Sequence, residues 1–424
     1  MSIVSQLLEG IKIPRMVRAH QVFECQKIEP DKIAEEVRSK LSQKDMGGTI
    51  RPGMRVAITA GSRGIANISL IIKSVVDFVK ENEGEPFIVP AMGSHGGATA
   101  EGQKEVLETF GITEESMGCP IVSSMETVHI GDAEDGKPVF IDKKAHEADG
   151  IVVVGRVKPH TCFRGRYESG IMKMMVIGLG KQYGAEKYHQ LGFKYLAEIV
   201  EVIGNAIIKH ANILFSVAIL ENAYDETSAI VPMYPDEIKD MEPDLLVKAK
   251  ADMPKILFDE TDVLVVDKIG KNISGEGMDS NITGTFCNPY ASGGIKSQRV
   301  IILDLTDETQ GCAVGVGLAD GITKRLFEKF DFEMTYPNCI TAATPNTGKI
   351  PMVMKNDREA IAFGISTCTG IDLTDVRIIR ISDSLHVSEI MFSENMLDRA
   401  RTIPDLEILG EPFDLPFDNN GDLW

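Results

Sequence analysis

From residue 54 onward, short β-branched runs alternate with stretches whose apolar residues recur every three or four positions. Met54–Thr59 (MRVAIT) reads as a strand and Ile68–Glu81 (ISLIIKSVVDFVKE) as an amphipathic helix. Phe87–Ala91 reads as a second strand, and Ala100–Phe110 as a helix with Thr99 as its N-cap. Ile151–Val157 (IVVVGRV) is apolar almost without a break, as expected of a strand covered on both faces of a parallel sheet. A helix over Tyr195–His210, a strand over Ile213–Leu220 and a charged helix over Pro235–Met253 complete this block. A second set follows: strands at Asp262–Val266, Arg299–Leu305 and Val376–Ile381, helices over Asp320–Phe330 and around Asp357–Phe363, and a polar Gly-rich segment at Gly270–Gly294. The rhythm predicts two α/β domains. The first spans 1–258, with a mostly parallel sheet flanked by helices, and the second spans 259–424, with a boundary near 255–262. The acidic, Pro- and Asp-containing stretch after Pro404 is expected to lie at the surface.

Composition narrows the class. The 424 residues carry 44 Lys and Arg against 63 Asp and Glu, a net charge of −19, with 43% hydrophobic residues. That is enough apolar material for folded cores, so a disordered chain is excluded. Such an acidic chain repels phosphate backbones and anionic bilayers, so the expected partner is a small molecule and neither a nucleic acid nor a membrane. The N-terminus lacks the pattern of a signal peptide and no run of 18 apolar residues occurs, so a cytoplasmic location is expected. The seven cysteines are odd in number and form no CxxC, which argues against disulfides, iron–sulfur clusters and structural zinc.

Candidate chemistry gathers in the loops that follow strands, the edge where open α/β sheets bind ligands. Ser62 and Arg63 lie in AGSRG after the first strand, next to a helix N-terminus, an arrangement suited to an anion. His95 lies in AMGSHGGAT after the next strand, with glycines leaving the imidazole uncrowded. His160 ends the central strand in VKPHTCFRGRYESG, and Arg164 beside it can pair bidentately with a carboxylate or phosphate. Lys173 sits in the apolar run IMKMMVIGLG, either reaching solvent or buried as a depressed-pKa nucleophile. Gly180 belongs to GLGKQYG, which is like a phosphate-cradling loop without the Walker spacing. His189 follows in EKYHQLG, and by itself would read as a helix-surface residue. The other five histidines read as structural or surface groups.

These motifs resemble the lactate racemase family, the nickel-pincer-nucleotide-dependent 2-hydroxyacid racemases and epimerases. The likeness rests on GSHGGAT around His95, on the strand ending in KPH at His160, on its glycine-containing continuation to Lys173, and on His189 sixteen residues later. The resemblance implies that His95 and His160 are the acid/base pair and that Lys173 is tethered to the cofactor, with His189 as its nickel ligand. It also implies that Arg63 orients substrate or cofactor, with Ser62 and Gly180 at the cofactor and Arg164 at the substrate. The active site would lie in the inter-domain cleft. Loading would require the cofactor-synthesis enzymes, and a homo-oligomer is compatible with the family. Two departures stand out. Ala60 occupies the position where the family carries an Asp three residues before the arginine, and the second domain lacks the family's Tyr-Gln-x-x-Lys motif, having KIGKNISGEGMDSNITG instead. Two other readings stay open from the residues alone. One is a hydrolase or aldolase using the three histidines for zinc or Lys173 for a Schiff base. The other is a non-catalytic ligand-binding protein of the same fold.

Overall fold

The structure is a computed structural model that describes residues 2–424. The chain divides into two compact units, one formed by Glu24–Met253 and one by Pro254–Trp424 together with the segment that ends at Phe23.

In the Glu24–Met253 unit, the described residues form a five-stranded sheet in the order Glu85–Pro90, Arg55–Ala60, Gly150–Arg156, Ile213–Glu221 and Thr227–Met233. The first four run parallel and the last is antiparallel. Alternation along each strand divides the core between the two faces. Ala57 and Val153 join the Phe193–His210 helix in one apolar cluster. Val56, Ile58, Val152 and Val154 join the Ile68–Glu81 helix in the other. That helix buries Ile68, Ile71, Ile72, Val75, Val76 and Val79, the spacing that put it in the sequence pattern. Thr99 caps the Ala100–Thr109 helix by accepting the Gly102 N–H at 3.0 Å. A separate antiparallel ribbon pairs Thr127–Asp132 with Pro138–Asp142.

The other unit is built on an eight-stranded sheet in the order Met352–Met354, Gly321–Thr323, Lys296–Leu305, Glu260–Ile269, Ile378–Ile381, Glu389–Ser393, Met16–Gln21 and Leu406–Phe413. Five neighbours are parallel and the last three are joined antiparallel.

Three expectations are corrected. The segment up to Phe23 does not belong to the N-terminal domain, because Met16–Gln21 pairs with Glu389–Ser393 on one side and Leu406–Phe413 on the other. The stretch after Pro404 therefore supplies a strand as well as surface. The helix expected over Asp320–Phe330 begins only at Lys324, since Gly321–Thr323 is a buried strand whose Thr323 then caps the helix. No helix among the described residues is long and apolar enough to cross a membrane.

Candidate active site

Three neighbouring parallel strands, Glu85–Pro90, Arg55–Ala60 and Gly150–Arg156, deliver their following loops to one edge of the sheet. The first two loops are joined directly, because Ser62 Oγ and His95 Nδ1 are hydrogen bonded. The His95 loop turns on Gly93, Gly96 and Gly97, all at positive φ (60°, 66° and 63°), where a side chain would be strained. Gly96 also sits where a Cβ would lie 2.6 Å from the Gln103 nitrogen. His95 and Arg63 are exposed at this edge.

The third loop is braced by a buried carboxylate. Glu168 Oε2 accepts the His160 N–H at 2.8 Å, and Oε1 accepts Lys250 Nζ at 2.6 Å. Arg164 Nη1 donates to the carbonyls of His160 and Phe163 and reaches Glu168 Oε2 at 3.4 Å. Arg164, read from the sequence as a substrate residue, is thus engaged in holding its own loop. Nδ1 of His160 accepts the Cys162 N–H at 3.0 Å, so in the neutral ring Nε2 carries the proton. The Phe163 ring lies 4.4 Å from the His160 ring. Desolvation holds the His160 imidazole well below its usual range, and the positive charges of Lys173, His189, Arg63 and Arg164 push the same way. Those four groups accordingly lie within electrostatic reach of His160.

Lys173 closes a short helical turn that runs into a π-helical segment, Met174–Gly178. Leu179 N–H reaches back five residues to the Met174 carbonyl at 2.9 Å, a wide turn of the kind found at functional sites. The turn is capped from the Ile238–Asp252 helix, where Glu242 Oε2 accepts the Met172 N–H at 3.0 Å. A Cβ at Gly170 would lie 2.0 Å from Glu242 Oε1, so a larger residue there would displace this carboxylate. Burial pushes the Glu242 carboxyl up to about 8. Burial, with Arg63 nearby, lowers the Lys173 amine to about 8, opposed by the Cys162 thiol. Burial, then the Lys173 charge, lowers His189 to about 4. At pH 7 His189 is neutral and keeps a lone pair free for a metal, and about a tenth of Lys173 is the free amine.

The structure thus brings Arg63, His160, Lys173 and His189 within electrostatic reach of one another, and joins His95 to the same edge through Ser62. It does not make a phosphate loop of GLGK. Gly180 is buried, with the space for a Cβ taken by the Val176 carbonyl at 2.3 Å, and the ammonium of Lys181 is turned into the protein. Of the remaining histidines, His20, His129 and His386 pair with Glu389, Asp132 and Asp383, while His146 and His210 are exposed. Glu242, Gln103 and Asp142 had no sequence signal, because a buried polar residue looks the same in a sequence as an exposed one. Glu168 stood in the His160 loop without its bracing role being evident.

The profile of the lactate racemase N-terminal domain matches residues 11–216. Among solved structures, that of the lactate racemase apoprotein from Thermoanaerobacterium thermosaccharolyticum is similar at a TM-score of 0.51 and 13% identity, covering 88% of this chain and 99% of that one. At this identity the likeness is one of fold. No curated protein matches the chain by sequence. Over residues 11–216 the chain thus carries the sequence pattern of the lactate racemase N-terminal domain.

Proposed function

We propose that the protein is a racemase or epimerase that inverts C2 of a 2-hydroxyacid using a nickel-pincer nucleotide. One observation carries the reading: a buried amine lowered to about 8, Lys173, and a buried imidazole lowered to about 4, His189, stand within electrostatic reach of each other and of His160. The donor set fits the cofactor. A desolvated amine is a competent covalent anchor, and a neutral imidazole is a suitable nickel ligand. When bound, the nucleotide supplies two-electron redox chemistry at the substrate's C2.

The protein's own part is binding, orientation and proton movement. Arg63 offers its guanidinium to the substrate carboxylate. His95, whose Nδ1 is bonded to Ser62 Oγ, directs Nε2 as the proton acceptor for the hydroxyl. His160, whose neutral ring carries its proton on Nε2, donates that N–H as a hydrogen bond to the same oxygen and steadies the charge left when His95 takes the hydroxyl proton, with Glu168 and Arg164 fixing the backbone beneath it. Ser62 stands beside this pair. Gly180, buried in its turn, contributes packing that keeps the turn tight.

The test is co-expression with the cofactor-synthesis enzymes, followed by peptide mass mapping, metal analysis and chiral chromatography of a panel of 2-hydroxyacids. The expected result is nickel, a mass increase confined to the peptide containing Lys173, and inversion of at least one acid without solvent deuterium entering C2. Zinc with an unmodified Lys173 would replace this reading with a hydrolase or aldolase.

A further inference from the structure

Lys181 is fully buried, and its ammonium is spent inside the protein. Nζ donates to the Pro90 carbonyl at 2.5 Å and to Gln103 Oε1 at 2.9 Å, and it pairs with Asp142 Oδ2 at 3.1 Å. Gln103, also fully buried, carries the connection onward. Its Nε2 donates to the carbonyls of Gly93 at 2.9 Å and His95 at 3.2 Å. Asp142 accepts the Ala145 N–H at 2.9 Å on its other oxygen, and its own N–H donates to the Leu179 carbonyl at 2.7 Å.

Three pieces of the unit are therefore tied at one point: the end of the Glu85–Pro90 strand, the His95 loop, and the turn that separates Lys173 from the helix ending at His189. The backbone supports the same junction. Gly93 N–H donates to the Gly178 carbonyl at 3.3 Å, and a Cβ on Gly178 would lie 2.7 Å from the Ala91 carbonyl. Lys181 itself has φ of 53°, a left-handed conformation that a non-glycine residue keeps only when its surroundings impose it.

A buried Lys–Asp pair is a poor device for stability, because desolving two charges offsets most of their attraction. It is a good device for specifying one arrangement. We propose that Lys181, acting through Gln103, is a positioning residue that fixes the His95 loop against the segment bearing Lys173 and His189. Its catalytic meaning rests on the racemase reading; its effect on the loop does not.

Two full-length variants test this. Q103M keeps the volume and leaves no charge unpaired, and K181M/D142N removes both members of the ion pair together. In the cofactor-free chain, the His95 imidazole is followed by NMR of carbon-13-labelled histidine, assigned by the signal lost in H95N, and amide exchange is mapped by mass spectrometry. The expected result in both variants is a moved His95 signal and exchange over residues 92–99 about tenfold faster or more, with Phe193–His210 protected as before. In the loaded enzyme, kcat should fall about 10–100-fold with KM nearly unchanged, as for groups that orient a reacting residue. An unmoved His95 signal overturns the proposal, whether exchange stays as in the parent or rises evenly along the chain. If the signal moves but the loaded parent inverts no hydroxyacid, positioning stands and the racemase reading falls.

Discussion

Cys162 donates its backbone N–H to Nδ1 of His160 at 3.0 Å, so one nitrogen of this imidazole is claimed by its own loop. The nitrogen left for chemistry is Nε2, and the neutral ring carries its proton there. Imidazole nitrogen-15 shifts should report an Nε2–H tautomer for His160 that persists from pH 8 down through pH 6.5, since its titration lies well under that value. A signal moving with a midpoint near 6.5 would contradict the arrangement.

Lys173 should react as an amine of unusually low basicity. Trace acetylation followed by peptide mass analysis should give a midpoint near 8, against about 10.4 for ordinary surface lysines. Arg63 is one of the groups holding it down, so R63M should move that midpoint upward.

His189 makes stability fall in acid. Its folded-state value of about 4 lies below the 6.5 of the unfolded chain, so below pH 6.5 the unfolded state binds the extra proton. The contribution is complete above 6.5 and is lost as pH falls towards 4, by about 2–3 kcal/mol. Urea unfolding at pH 7 and pH 4.5 should show the loss, and H189N should reduce it.

Glu242 acts in the opposite direction. Its carboxyl titrates at about 8 when folded and 4.5 when unfolded, so its contribution is complete below 4.5 and is lost as pH rises through 8. Between pH 5 and pH 8 the chain should lose about 3 kcal/mol from this group. In E242Q that part of the pH dependence should vanish from the unfolding midpoints.

In the other unit, Arg325 Nη2 donates to the fully buried Asp357 at 2.8 Å, its Nε lies 3.4 Å from Asp304 Oδ2, and its guanidinium stacks 4.7 Å from the Trp424 ring. R325M would take the cationic partner from the Asp357 carboxylate and leave it only the Leu423 N–H. A cost of about 3 kcal/mol is expected in denaturant unfolding, in line with breaking a buried pair from one side.

The long periodic elements were legible in the sequence because their apolar spacing is dictated by burial. Ile68–Glu81 and the run through Val152 and Val154 are examples. The loops at the sheet edge were legible through their glycines and histidines. What the pattern concealed was set by distant partners. Met16–Gln21 (MVRAHQ) has no clear alternation and becomes a strand only through its neighbours from the far end of the chain. GLGKQYG looked like a phosphate-cradling loop because the string cannot show that Gln103 and Asp142 wait beside Lys181. The π-helical turn after Lys173 likewise has no local signature, since its widening depends on what packs around it.

The placement of Met16–Gln21 between Glu389–Ser393 and Leu406–Phe413 bears on how the molecule is made. Among the strands of its sheet it leaves the ribosome first, and its hydrogen-bonding partners are translated last. The Glu24–Met253 unit draws every strand of its sheets from its own contiguous residues, so it can fold while the chain is still growing. The other unit must leave its earliest strand unmatched until residues 389–413 have been made, so a chain cut before them would leave both edges of Met16–Gln21 bare.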